Sequence, residues 1–422
     1  MAELIQRRVE DMSRQRMTEA PVLLLHGPRS VGKSTLLRAL AGGGTGVIDL
    51  DDPAVRAGVA DDPGLFVSGR PPVFIDEYQH VPELLDAVKA ELNRDSSPGR
   101  FVITGSTRFD SLPLVSQSLT GRLHRIEVHP LSQGEIGSRR ETLIETLFDD
   151  PGRAVTPQPS TATRADYAGR IARGGFPLAL QRTGAARDRW FDDYLALCLE
   201  RDLMALGRVR RPGALAPLLS RLSAHTAQVL NMSRIGAELE LPSSTASDYI
   251  SLFERSFLVR LLPAWGKTVR AATASRPKVH IADSGLAARL LRLPPDKLAR
   301  LDPTSLQQFG HLLETFVVGE VLKQASWMQY RPHVGHWRTH DGTEVDLVIE
   351  DGRDGAVVGI EVKASTRVHP ADRRGLRKLR DALGERFRAG IVFHTGPHCV
   401  RYTDDERIIA LPIDRLWSNI ET

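Results

Sequence analysis

The stretch Pro21-Val22-Leu23-Leu24-Leu25-His26-Gly27-Pro28-Arg29-Ser30-Val31-Gly32-Lys33-Ser34-Thr35-Leu36-Leu37-Arg38-Ala39-Leu40 decides how the rest of the chain is read. Residues 21–26 are a short apolar run of strand type and residues 35–40 have helical character, so the order is strand, glycine loop, helix. The spacing G-x-x-x-x-G-K-S lets backbone amides wrap a triphosphate, points Lys33 at the β and γ phosphates and gives Ser34 a hydroxyl for Mg²⁺. The partial positive charge at the helix N-terminus favours the same ligand. Gly27, Pro28, Arg29, Ser30, Val31, Gly32, Lys33, Ser34 and Thr35 are therefore the expected nucleotide-binding residues. The competing reading is a structural glycine turn, against which the flanking strand and helix weigh.

Downstream, Pro72-Val73-Phe74-Ile75-Asp76-Glu77 is an apolar strand ending in two carboxylates. Phosphoryl transfer to water needs one acid to hold the metal and another to orient or deprotonate the water, which assigns Asp76 to Mg²⁺ and Glu77 to the water. A further strand, residues 100–104, runs into Gly105-Ser106-Thr107-Arg108, and either Ser106 or Thr107 is placed to sense the γ phosphate; a plain Gly-Ser turn is the alternative. Val47-Ile48-Asp49-Leu50 and His124-Arg125-Ile126-Glu127-Val128 bring the count to five short strands separated by helical segments, which predicts a parallel α/β sheet. Arg122, just before the last strand, is either an arginine finger completing a neighbouring subunit's site or a surface arginine.

With these residues the chain resembles the AAA-type (ASCE) P-loop ATPases, in particular a prokaryotic group that joins such an ATPase to a C-terminal region of long-uncharacterised function. Further residues that carry the resemblance are Gly174-Gly175-Phe176-Pro177, Arg201-Asp202-Leu203, Lys278-Val279-His280-Ile281-Ala282-Asp283-Ser284-Gly285-Leu286 and Leu313-Glu314-Thr315-Phe316-Val317, with Gln79 following the Asp76-Glu77 pair. The resemblance spans nearly the full length and implies ATP and Mg²⁺ as ligands. A second, lid-borne sensor arginine is not evident, and Arg201 is the nearest candidate.

The Pro-, Ser- and Thr-rich residues 147–165 read as a linker or hinge. Residues 166–212, amphipathic at helical spacing, read as a helical lid. Residues 213–270 follow the pattern helix, helix, turn, helix, strand of a winged helix-turn-helix. Its second helix offers Ser243, Ser244, Thr245 and Ser247 but also Asp248 and Glu254, so duplex reading and packing on protein both stand.

Residues 271–422 show an αβββαβ succession that resembles the core of PD-(D/E)xK nucleases. Period-two alternation puts Glu361 and Lys363 on one face of a strand, with Asp346 on its neighbour, and Glu320, with Glu314 as the other option, as the helix-borne acid. Two carboxylates and a lysine suit a metal-dependent phosphodiesterase, and a salt-bridged face is the alternative.

The 422 residues exceed one compact core and call for two or three domains. The expected fold class is accordingly α/β: a P-loop NTPase parallel sheet (residues 21–146) after an N-terminal helix (1–20), then linker, lid, winged helix and nuclease-like module. No run approaches the roughly 18 apolar residues of a membrane span, no secretory signal is visible, and the two distant cysteines fit a reducing cytoplasm. The net charge of +4 rests on 48 Arg and 8 Lys spread along the chain, which allows nucleic acid as a partner without demanding it. The leading expectation is a cytoplasmic Mg·ATP-dependent ATPase that acts on DNA as a motor or clamp in repair, recombination or branch migration, self-associated into a ring, with a hexamer as one possibility. Two alternatives stand beside it: an ATP-gated metal-dependent DNA endonuclease, and an ATP-driven signalling switch with a protein partner.

Overall fold

Val22, Leu23, Leu24 and Leu25 are all fully buried, the pattern of a parallel strand covered on both faces. The computed structural model describes residues 4–106, 119, 121–207, 209–266 and 276–418. They divide into two compact units, one of residues 1–131 with 176–178 and 255–257, the other of the remainder.

In the first unit, β1 (Val22–His26), β2 (Val47–Asp49), β3 (Val73–Asp76), β4 (Phe101–Gly105) and β5 (Leu123–Glu127) form one parallel sheet in the order β2-β3-β4-β1-β5. Helices α1 (Val9–Met17), α2 (Lys33–Ala41), α3 (Pro53–Asp61) and α4 (Leu84–Arg94) belong to the same unit. Leu84, Leu85, Val88 and Leu92 recur at helical spacing on α4 and pack with Ile75, Phe101 and Ile103 in one buried cluster. Because β4 lies between β3 and β1, the C-terminal ends of three adjacent strands converge on the glycine loop.

The second unit holds α5 (Arg164–Arg173), α6 (Gly184–Leu197), α7 (Leu215–Ala224), β6 (Gln228–Val229), α8 (Met232–Glu238), α9 (Ser243–Arg255, its last residue falling with the first unit), β7 (Val259–Leu262), β8 (Lys278–Ile281), α10 (Ser284–Leu290) and α11 (Pro303–Ser326). It continues with β9 (His333–Arg338), β10 (Glu344–Glu350), β11 (Val357–Lys363), α12 (Arg374–Leu383), β12 (Phe387–His394), β13 (Val400–Tyr402) and β14 (Asp405–Pro412). Two sheets result: an antiparallel three-stranded one in the order β6-β8-β7, and a six-stranded one in the order β13-β14-β12-β11-β10-β9. The helix, three strands, helix, strand order expected for the C-terminal region is present and continues into the β13-β14 hairpin.

Two sequence expectations change here. The segment read as an ATPase lid packs within the second unit: α5 lies on α10 and α11, Arg164 stacks over the Phe309 ring at 3.8 Å, and Arg289 forks onto Asp192 at 2.7 and 2.5 Å. Asp283 caps α10 through Gly285 N–H at 2.8 Å and also accepts Gly175 N–H at 2.8 Å. A Cβ on Gly174, at φ +65°, would stand 2.3 Å from that carboxylate, so the Gly174-Gly175 and Asp283-Ser284-Gly285 motifs are two halves of one joint. The presumed linker is likewise pinned, since Ser160 donates to Asp414 at 2.8 Å, its N–H bonds Pro397 O at 2.7 Å, and Arg415 donates to Gln158 O. Ser160 and the Gln158 carbonyl are thereby tied to the loop after β12 and to the turn that follows β14. The first unit closes at Leu131, short of the expected 146, because residues 132–146 pack with the second. Among the described residues no helix is long and apolar enough to cross a membrane.

Candidate functional site

Gly27 ends β1 where a Cβ would stand 2.2 Å from Val128 O, and Gly32 begins α2 at φ +93°, so both positions demand glycine. Ser30, between them, is held at φ +61°, a conformation that a residue with a side chain adopts only when its surroundings impose it. Lys33 is buried, and its ammonium donates to Gly27 O at 3.1 Å and Pro28 O at 2.9 Å, arching across the loop it belongs to. Ser34 lies next in the first turn of α2 and its hydroxyl bonds Asp76. Arg29 is half-buried and near enough to Glu77 to lower its proton affinity, whereas Thr35 is exposed on α2.

Asp76 and Glu77 end β3 with different roles imposed by different surroundings. Burial pushes the Asp76 carboxyl above the ordinary range, against hydrogen bonds from Thr104 and Ser34. Glu77 adopts φ +56°, which turns its side chain back over the loop to bring Oε1 within 3.8 Å of Lys33 Nζ. Its Oε2 accepts from Ser106 Oγ at 2.9 Å and from Gln79 Nε2. Burial drives this carboxyl up, yet Lys33, Gln79 and Ser106 together hold it below the usual glutamate value. Ser34 and Asp76, in contact with each other, are an oxygen set suited to Mg²⁺, which prefers hydroxyl, carboxylate and phosphate oxygens.

Of the two sensor candidates, Ser106 lies against Glu77; Thr107 falls outside the described residues. Three participants went unnoticed in sequence. Thr104 on β4 donates to Asp76 Oδ1 and accepts Glu77 N–H at 3.0 Å, tying both acids to the neighbouring strand. Arg7 donates to Val31 O and to His129 O, each at 2.6 Å, and so clamps the loop's backbone to the end of β5. Tyr78, fully buried, has its ring where a Gly105 Cβ would come within 2.5 Å. None carries a recognisable spacing; each is joined to its partner only by the fold. Arg122 bonds Asn93 at 2.8 Å, and its carbonyl takes Val22 N–H, which puts it at the end of the sheet opposite the loop. Arg201 is exposed on a π-helical turn, Cys198–Asp202.

In the second unit, Lys363 Nζ meets Glu361 Oε2 at 2.9 Å, and Asp346 Oδ2 accepts Val362 N–H at 3.0 Å, so the expected trio does come together. Glu320 does not join it. Six residues from Glu314, it lies roughly 120° round the helix, where its fully buried carboxylate accepts Gln133 N–H at 2.8 Å and pairs with Lys323 at 2.7 Å. Glu314 is the acid that faces the cluster, and Lys278 from β8 bonds it at 2.8 Å. Among the described residues, no group of three or more His, Cys, Asp or Glu side chains is arranged to hold a metal ion.

Residues 19–137 match the family model of an AAA domain. The first unit carries an AAA-type domain. Beyond this AAA domain, residues 164–297 match a domain of unknown function (DUF8612) and residues 309–416 another (DUF4143), so the expected lid and winged helix fall within a single match. Over 407 residues the chain is 29% identical to "Uncharacterized protein Rv2008c" of Mycobacterium tuberculosis and to "Uncharacterized protein Mb2031c" of Mycobacterium bovis, covering 96% of this chain and 82% of each relative.

Proposed function

We propose that the AAA domain binds and hydrolyses Mg·ATP. The observation that carries this reading is Glu77, turned by its positive φ toward Lys33 while Ser106 and Gln79 hold its other oxygen. A carboxylate kept ionised and aimed at the loop is suited to accept a proton from water attacking the γ phosphate. Lys33 exchanges its loop carbonyls for phosphate oxygens, Ser106 and Gln79 orient Glu77, and Thr104 keeps Asp76 in register with it. Ser34 and Asp76 would hold the Mg²⁺, which neutralises phosphate charge when bound. Equilibrium binding of a fluorescent ATP analogue and steady-state phosphate release provide the test. Lys33→Ala is expected to lose binding, and Glu77→Gln to bind normally but turn over at least about 100-fold more slowly. Wild-type turnover in Glu77→Gln removes the assignment.

Arg122 is too distant along its strand to serve its own loop, which supports self-association with the arginine completing a neighbour's site. ATP-dependent sedimentation of wild type and Arg122→Ala tests it: an assembly and turnover both indifferent to this change discard the role. For the second unit we retain DNA as the expected ligand, supported by the β6-β8-β7 sheet beside α7, α8 and α9 in the order of a winged helix. The exposed face of α9 favours the second reading, a protein-binding switch, because it presents Ser243, Ser244, Ser247, Asp248 and Ser251 with Arg255 only at its end. ATPase rates with and without duplex, single-stranded and four-way junction DNA across a salt series separate the two, since phosphate contacts weaken steeply with salt.

A further inference from the structure

Lys278 opens β8, and its side chain is 1% exposed. Its ammonium meets three carboxylates from two other elements: Glu314 Oε1 of α11 at 2.8 Å, Asp346 Oδ1 of β10 at 3.0 Å and Glu344 Oε1 of β10 at 3.2 Å. An ammonium has three donors, and three acceptors surround this one. The remaining groups are also engaged, Asp346 Oδ2 by Val362 N–H and Glu361 by Lys363. Burial, reinforced by Asp346, pushes Glu314 up to about 8 and raises Glu361 as well. Burial acts on Asp346 too, yet Lys278 and Lys363 hold it below the usual range. Two ammoniums, Lys278 and Lys363, thus stand against the carboxyls of Glu314, Glu344, Asp346 and Glu361.

We propose that Lys278 is a built-in counter-ion that closes this acidic set to divalent ions and makes it a metal-free clamp between the β6-β8-β7 sheet and the six-stranded sheet. Metal-assisted cleavage by a carboxylate trio requires an ion at hand to the acids, with oxygens roughly 2.0–2.6 Å away. The point common to Glu314, Glu344 and Asp346 is taken by Nζ. The clamp does not act alone. Ala264 pairs with His336 as an isolated parallel bridge, Trp265 N–H bonds His336 O at 2.6 Å, and the Trp265 indole N–H bonds Glu350 at 2.7 Å. Strand β7, which holds β8 in register Leu262↔Lys278, thus continues into a second tie to the same sheet. This inference is independent of the ATPase reading.

Thermal unfolding of the full chain, with millimolar Mn²⁺ or with EDTA, tests it alongside a supercoiled-DNA nicking assay. Wild type is expected to leave DNA intact and to show the same response of its melting point to Mn²⁺ as Asp346→Asn does. Lys278→Met is expected to melt roughly 5–10 °C lower and to regain part of that loss in Mn²⁺, which then neutralises the exposed acids. A Mn²⁺-dependent rise in the wild-type melting point that Asp346→Asn abolishes, nicking that Asp346→Asn abolishes, or a Lys278→Met variant as stable as wild type overturns the proposal. If Lys278→Met does not fold, the charge-balanced double variant Lys278→Met/Asp346→Asn decides: recovery of a cooperative melt upholds the counter-ion role, and an equally unfolded double variant rejects it.

Discussion

Ser106 donates its hydroxyl to Oε2 of Glu77 at 2.9 Å, so the end of one strand speaks directly to the carboxylate that ends its neighbour. Ser106 helps hold Glu77 ionised, and its loss raises that group's proton affinity. The acid limb of the ATPase pH profile is set by a base that must be deprotonated, so in Ser106→Ala it moves to higher pH. Rates measured down through the acid limb of the profile check the shift; an unmoved limb means that Lys33 and Gln79 suffice.

Arg7 acts on the loop from outside, through Val31 O and His129 O at 2.6 Å each. Arg7→Ala should loosen the loop without touching the reacting groups, raising KM for ATP roughly three- to tenfold with kcat near wild type. A fall in kcat at constant KM contradicts this division of labour.

Gly105→Ala forces a methyl to within 2.5 Å of the Tyr78 ring carbon in a fully packed site. A loss of about 1–3 kcal/mol in denaturant unfolding is expected. Unchanged stability shows that Tyr78 has room to move.

Glu320 is assigned to structure. Glu320→Ala removes the acceptor of the buried Gln133 N–H and a carboxylate beside Lys323, with an expected cost of about 1–3 kcal/mol, whereas Glu320→Gln keeps an acceptor for Gln133 and loses less. Comparable losses for the two variants argue that charge, not the acceptor, matters there.

How far residues could be read depended on how their partners are spaced. The loop, Asp76, Glu77 and Ser106 announce themselves by position at strand ends, and Glu361 with Lys363 by strict alternation. Thr104, Arg7 and Lys278 do not, because a threonine in a strand or a lone basic residue gains meaning only from a neighbour brought in by folding. Glu314 was within reach, since helical spacing alone separates its face from that of Glu320. The Pro- and Ser-rich segment misled for a physical reason: Ser160 and the carbonyls of Gly152 and Gln158 are held by polar bonds to Asp414, Arg401 and Arg415, and such anchoring leaves no apolar trace in composition.

The β2-β3-β4-β1-β5 order has a consequence for assembly of the chain itself. Strand β1 pairs with Phe101–Gly105 on one side and Leu123–Glu127 on the other, both far downstream. Gly27 meets Val128 O and Arg7 meets His129 O only after those residues exist. A nascent or truncated chain ending before β5 therefore carries the whole glycine loop in its sequence and cannot shape it, because long-range closure must precede the local geometry. Nucleotide affinity should appear late in synthesis and all at once, when the last strand docks.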